Sequence, residues 1–205
     1  VESDYNALFA WAPTGDRAPS SMKHVASDGG RLVLIDATMQ SNVGREIVLA
    51  SGPAGADLTD ALEHDGILYT AGYSSETIDR FDVASSVWLT PINIGDAVTS
   101  LGIAADTIIA GTVTDGLFLI ENGSIRTNIP AGQDQNSNSQ YIVDIAAVGD
   151  CTTTQGCQIL FIQEDAAYRA DVDSTAVGSA TLLTSDYLLT GQVATYGGVG
   201  YWSSD

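Results

Sequence analysis

The apolar and polar positions along the chain fall in the pattern of short strands. Apolar residues alternate with polar ones or form short runs, as in "RLVLIDA" from Arg31, "ILYTAGY" from Ile67, "TIIAGTV" from Thr107 and "CQILFIQ" from Cys157. Alternation is the period of a half-buried strand, and a brief unbroken apolar run fits a strand buried on both faces. No segment sustains a helical period. Each of these runs follows an alternating one ("SMKHVAS", "LTDALEH", "VTSLGIAA", "YIVDIAAVG"), with Asp28-Gly29, Asp65-Gly66, Asp106 or Asp150 at the junction. Third runs follow in "TIDRFDV", "GLFLIEN" and "AYRADV", and fourth runs in "SVWLTPI", "SIRTNIP" and "ATLLTS". Short strands separated by Gly, Asp, Asn and Ser are the grammar of an antiparallel meander. The strands near 31–37, 66–73, 107–113 and 157–163 are therefore expected to be second in four-stranded units.

These units repeat. "DLTDALEHDGILYTAGY" from Asp57 aligns with "AVTSLGIAADTIIAGTV" from Ala97, placing Thr59 on Thr99 and Leu68-Tyr69 on Ile108-Ile109. The offset of about 40 residues is the length of a propeller blade. "RFDVAS" from Arg80 recurs as "RADVDS" from Arg169, roughly two repeats on. A sheet of this size cannot bury both faces alone and is stabilised by neighbours packed on each side. The expected fold is all-β, a β-propeller of four-stranded antiparallel blades in a single domain or propeller fragment. Its units lie near 21–56, 57–96, 97–140, 141–186, and 187–205 taken with 1–20. The leading "NALFAWAP" either closes that ring of about five repeats, or the chain belongs to a larger ring. A β-sandwich is the competing architecture, because strand spacing alone does not exclude it. Asn122-Gly123-Ser124 is both a tight-turn sequence and an N-glycosylation sequon, and the turn is the preferred reading.

"VTSLGIAADTIIAGTVTDGLFLIENGSI" resembles the repeat of two-component-regulator-type propellers, through Ala110-Gly111-Thr112 and Gly116-Leu117. "RFDVASSVW" resembles Kelch-like and quinoprotein-like blades. The resemblance spans roughly residues 21–205, with Tyr69 and Ile109 where the second strand usually carries Trp. It implies a fold and transfers no catalytic residue.

Composition places this fold in a class. With 44% hydrophobic and 16% charged residues among 205, the chain is globular rather than disordered. No stretch is apolar for long enough to span a bilayer as a helix, so direct membrane insertion is not expected. The N-terminus has no basic segment leading into an apolar run, so any secretory leader is expected to be absent from this chain. Seven Lys+Arg against 26 Asp+Glu give a net charge of -19, with Lys23 the only lysine. Such a surface repels polyanions and excludes nucleic acid as a partner. Many of the acids are Asp beside Gly, Ser or Thr, where Asp closes turns.

Candidate chemistry is sparse. There is no Gly-Lys-Ser/Thr phosphate loop and no Gly-x-Ser-x-Gly elbow, and "YGGVGYW" lacks dinucleotide-binding spacing. His24 and His64 are the only histidines, and each precedes a turn. Asp134, Asn136 and Asn138, with Asp144 following, have the alternating oxygen donors of a calcium loop. Ser139 and Ile145, however, stand where that loop needs its sharp-turn Gly and bidentate Glu. Calcium is thus a candidate cofactor and a polar linker the competing reading. Asp171 and Asp173 share one strand face, whereas a glycosidase pair must flank its substrate. Tyr69, Tyr73, Trp88 and Trp202, with Trp11, form a candidate stacking surface for a ligand, against the alternative of packing between blades. Cys151 and Cys157 lie at the ends of a polar loop between two strands and are expected to form a disulfide, which favours export.

The expected function is an extracellular or cell-surface binding or scaffold module for a protein or glycan ligand. Other segments of a larger parent protein are expected as partners. The alternative is a propeller-fold carbohydrate-active hydrolase or lyase using Asp residues from different blades.

Overall fold

The computed structural model describes residues 7–11, 23–28, 31–36, 45–51, 58–82, 84–85, 87–129, 141–148, 157–163, 166–172, 177–185, 193–196 and 199–202. Side chains are described from Thr59 onward, apart from 126–129, 185, 194–196, 200 and 202. All nineteen elements among these residues are strands, and every pairing is antiparallel.

The chain forms two compact units, Val1–Gly95 and Asp96–Asp205. The first unit contains two sheets. β1 (Ala7–Trp11), β2 (Lys23–Asp28), β3 (Arg31–Asp36) and β4 (Arg45–Ser51) pair in chain order. In the second sheet β5 (Leu58–His64), β6 (Ile67–Gly72) and β7 (Thr77–Asp82) are followed by β8 (Val87–Trp88) and β9 (Ile92–Asn93), which both pair with β7. β1 and β5 lie side by side.

The second unit contains three sheets, again in chain order. The third is β10 (Val98–Ala104), β11 (Thr107–Thr112), β12 (Leu117–Glu121) and β13 (Ser124–Ile129). The fourth is β14 (Ile142–Val148), β15 (Cys157–Gln163), β16 (Ala166–Val172) and β17 (Thr181–Ser185). The fifth, among the described residues, is the hairpin β18 (Val193–Tyr196) and β19 (Val199–Trp202). The first strands adjoin, β10 against β14 and β14 against β18.

Turn chemistry explains the hairpins. Asp65 and Gly66 have φ of 51° and 78°, Ala105 and Asp106 50° and 59°, and Asn122 and Gly123 50° and 75°. Two successive residues with positive φ make a type I′ turn, whose twist matches that of paired strands. The Asn-Gly sequence is therefore a hairpin turn between the third and fourth strands of its sheet.

One expectation is corrected. Arg31–Asp36 is the third strand of its sheet, because Ala7–Trp11 pairs with Lys23–Asp28 and supplies the first. Asp28-Gly29 repeats the Asp-Gly sequence of Asp65-Gly66, but it follows the second strand instead of the first. The other three expected second strands are second. The run "SVWLTPI" is also interrupted. Leu89 N donates to Arg80 O, the Arg80 guanidinium donates twice to Thr90 O at 2.9 and 2.7 Å, and Pro91 has no N–H to offer.

The register makes the repeat physical. Tyr69 pairs with Leu62 and Arg80, Ile109 with Gly102 and Leu119, and Leu160 with Ala146 and Arg169. The two copies of Arg-x-Asp-Val-x-Ser thus begin at the same place in their sheets. Alternation gives each sheet a first face, containing Ile145, Phe161 and Tyr168 in the fourth, and a second face, containing Ile109, Leu117 and Leu119 in the third. These two faces share one core within the second unit. The second face of the fourth sheet (Leu160, Ile162, Ala167) shares another with Val193 of β18.

Candidate functional site

The repeated element with the most polar chemistry is the start of each first strand. A register shift lies between Leu58 and Asp60, between Val98 and Ser100, and between Ile142 and Asp144. Such a bulge re-aims side chains out of the regular ladder. Thr99, inside the third sheet's bulge, donates its Oγ1–H to Ile142 O at 2.5 Å, binding the next sheet's first strand. Asp144, at the end of the fourth sheet's bulge, accepts Val193 N–H at 2.7 Å on Oδ2 and Ile145 N–H at 2.8 Å on Oδ1. Burial raises the Asp144 pKa, and these two donors pull the other way. Asp60 accepts Ala61 N–H at 2.7 Å in the same manner as Asp144 accepts Ile145 N–H.

Close approach accompanies these links. A Cβ on Gly111 would lie 2.6 Å from Ile142 Cγ2, 2.6 Å from Ser100 Oγ and 2.8 Å from Ile142 Cβ. Thr112, the next residue, is fully buried, donates to Gly116 O at 3.0 Å and accepts from Asp115 N–H at 3.2 Å. The Gly-Thr pair of the repeat therefore has two tasks: a bare backbone for the adjoining sheet and a hydroxyl that folds the following loop.

Other acids are likewise occupied by backbone. Asp96 Oδ2 accepts Thr114 N–H at 2.7 Å, Thr114 Oγ1–H at 2.9 Å and Asp115 N–H at 2.9 Å, while Oδ1 accepts Ala97 N–H at 2.8 Å. Burial opposes its ionisation, but bonds from Thr114, Thr112 and Asp115 hold its pKa below the usual value. Asp82 accepts Ala84 and Ser85 N–H at 2.9 and 3.1 Å, and the Ser85 bonds lead in lowering its pKa. Asp171, its counterpart in the repeat, accepts Gln158 Nε2–H at 2.8 Å instead.

Asp79 differs from these acids. It is the one carboxylic acid in the buried class among the described residues, 7% exposed, and stands opposite Thr70, 2% exposed. Burial raises its pKa, against a bond from the Thr77 side chain, and Thr70 Oγ1 has no hydrogen-bond partner among the described residues. The register puts Ala110 and Phe118 in these positions in the third sheet, and the stacked rings of Phe161 and Tyr168 in the fourth. The sequence signal was present: Asp79 is two residues from Phe81 on one strand face, a polar residue in an apolar row.

Among the described residues, the aromatic candidates Tyr69 and Trp88 do not share a sheet face. Tyr69 is buried and its phenol pKa is raised by burial, with Arg80 lowering it and Asp65 adding to the rise. Trp88 is on the opposite face, half-buried against Phe81 with ring centroids 5.2 Å apart. Tyr73 is exposed in the turn after β6, and Trp202 pairs with Val193 in β19, its side chain lying outside the described residues. Asp134, Asn136, Asn138 and Cys151 also lie outside the described residues. Cys157 is buried and is not a free thiol.

No family model and no curated protein matches this chain. Solved structures do. PorZ, a surface component of the type-IX secretion system of Porphyromonas gingivalis, is 17% identical over 84% of this chain, with a TM-score of 0.56. BBS1N, from its complex with ARL6DN, is 10% identical over 98% with a TM-score of 0.62. The WD40 domain of Toxoplasma gondii coronin is 7% identical over 84% with a TM-score of 0.58. The fold is propeller-like. At these identities the similarity concerns fold alone, and the chain spans 22%, 60% and 46% of those three chains. These similarities do not show the two-component-regulator-type or Kelch-like families.

Proposed function

We propose that this chain is an extracellular or cell-surface β-propeller module that binds a protein or glycan ligand and performs no chemistry of its own. The observation carrying this reading is the use made of its acids. Asp60, Asp82, Asp96 and Asp144 all accept backbone N–H groups. A glycosidase instead needs two carboxyls converging on a substrate from separate elements, one with a raised pKa. The propeller-like fold adds support, because a rigid set of blades presents variable loops as a recognition surface. PorZ is a bacterial surface component, which fits a surface location for a chain of this fold.

The second part of the proposal is a Cys151–Cys157 disulfide, the pairing that a two-cysteine chain permits within itself. It would close a short loop before β15 and favours an oxidising compartment. Intact mass after alkylation, with and without reduction, tests it: two alkylated thiols in unreduced protein would refute the pairing. Glycan and peptide arrays, followed by titration of any hit and a turnover assay on the same compound, test the binding reading. Saturable binding without product is expected. Product formation abolished by replacing a single Asp would establish the hydrolase or lyase alternative.

A further inference from the structure

Within the second unit both faces of the fourth sheet are taken. The first shares a core with Ile109, Leu117 and Leu119 of the third sheet, and the second shares another with Val193 of the fifth. What stays open is the sheet's last edge. Among the described residues β17 pairs with β16 alone. Val177 already bridges to Val172, and Gly178 N–H donates to Asp171 O at 2.7 Å, so this edge begins before the strand itself. Thr181, Leu182 and Leu183 are exposed, the two leucines by 53% and 41%.

A last strand offers a row of unpaired N–H and C=O groups to any other chain, and charges, prolines or very short strands blunt it. The other four-stranded edges carry such devices. β4 contains Arg45 and Glu46, β13 contains Arg126, and β8 and β9 are two-residue strands with Pro91 between them. One extra residue bulges each of β4, β13 and β17, namely Leu49, Arg126 and Leu183. The bulge therefore belongs to the repeat and singles out no edge. Chemistry does: residues 174–185, "STAVGSATLLTS", contain no charge and no proline. In sequence this run is bracketed by Asp171 and Asp173 before it and Asp186 after it.

We propose that the 177–185 edge is a peptide-binding site, and that its occupant is an extended segment of a partner protein added to the fourth sheet as a further strand. The segment carries apolar or Thr residues at its centre and Lys or Arg at its ends. This rests on the reading of the chain as a binding module and names the ligand class of that module. Main-chain hydrogen bonds to β17 supply the affinity in this mode of recognition, and the exposed Leu182 and Leu183 give the added strand apolar neighbours. Charge complementarity selects the ends, because the uncharged run has acids on both sides in a chain of net charge -19. A second copy would bring the same acids to the same place.

Amide hydrogen exchange of the 205-residue chain, with and without the synthetic peptide Lys-Lys-Val-Thr-Val-Thr-Val-Lys-Lys, provides the test. Saturating peptide should slow exchange within 177–185 by about tenfold or more, as expected of amides taken into a ladder. The same peptide with Glu in place of Lys should bind about tenfold more weakly at low salt, the difference narrowing as salt is raised. A central proline in the peptide should abolish the protection, and so should Leu182→Lys in the protein. A Lys-ended peptide that leaves 177–185 unprotected would overturn the proposal, and so would equal binding of the Glu-ended one. Slow exchange of this edge without peptide would also overturn it, by showing the edge already covered by this chain or a second copy. An array hit, glycan or peptide, that binds without protecting 177–185 would sink this site and keep the binding module. Product formed from an array compound would refute the non-enzymatic reading instead, and the exchange result would still decide the edge.

Discussion

Gly111→Ala should destabilise the second unit by crowding the contact between its third and fourth sheets. The added methyl would sit 2.6 Å from Ile142 Cγ2 and 2.8 Å from Ile142 Cβ, where carbon pairs settle at about 3.5–4.0 Å. Ser100 Oγ, also at 2.6 Å, can rotate away. Ile142 Cβ cannot, because it is fixed to the backbone of β14, so the strand itself must retreat by about 1 Å to restore that contact distance. Overpacking of this kind costs about 1–3 kcal/mol. Alanine restricts the unfolded chain and returns about 0.4–1 kcal/mol. Mid-range values leave a net loss of about 1.3 kcal/mol, which lowers the urea midpoint by roughly 0.7 M at a slope of about 2 kcal/mol/M. Urea melts followed by circular dichroism would measure it. Ile142→Ala removes Cγ2, so the double variant should be less destabilised than the sum of the single variants, by about 0.5 kcal/mol or more. An unchanged or raised midpoint for Gly111→Ala would refute the close approach of these sheets.

Thr99→Val removes the hydroxyl that donates to Ile142 O, with an expected loss of about 1–2 kcal/mol in the same melts. Asp79→Asn has a pH signature. Because burial raises the Asp79 pKa in the folded protein, the folded state binds the proton more tightly than the unfolded chain. The stability from that group is thus complete below the unfolded pKa of about 3.9 and is lost as pH rises through the folded value. Asp79→Asn should therefore gain stability relative to the parent between pH 3 and pH 7, and an equal offset at both pH values would contradict this sign. Gly123→Ala, at φ of 75° in the Asn122 hairpin, should cost about 1 kcal/mol by thermal melting, and Glu121→Ala beside it much less.

The sequence was most informative where local chemistry is decisive. Asp65-Gly66 and Asn122-Gly123 announced hairpins because type I′ turns need residues that accept positive φ. The offset between Thr59 and Thr99 was legible, but the bulge containing them was not. A bulge is a property of pairing, visible only once Val98 faces Thr112 and Ser100 faces Gly111. The order of the first sheet was misread for the same reason. Ala7–Trp11 joins Lys23–Asp28 across eleven intervening residues, with no tight-turn signal to link them. Tyr69 and Trp88 looked like partners in composition, yet Tyr69 pairs with Arg80 and Trp88 with Phe81. Adjacent residues on a strand point to opposite faces, so the two rings cannot form one platform. The two backbone N–H groups that the Asp144 carboxylate accepts depend on the paths of β14 and β18 and have no local sequence signal.

The central claim is that within the second unit each sheet packs its second face against the first face of the next. Nuclear Overhauser contacts on methyl-labelled protein test this most directly. The account predicts cross-peaks from the Gly111 Hα protons to the Ile142 γ2 methyl, and from the Leu160 methyls to those of Val193. If the Leu160–Val193 cross-peaks were absent, so that the fourth sheet buried only the face it turns to the third, the chain would be a β-sandwich and the propeller account would be wrong.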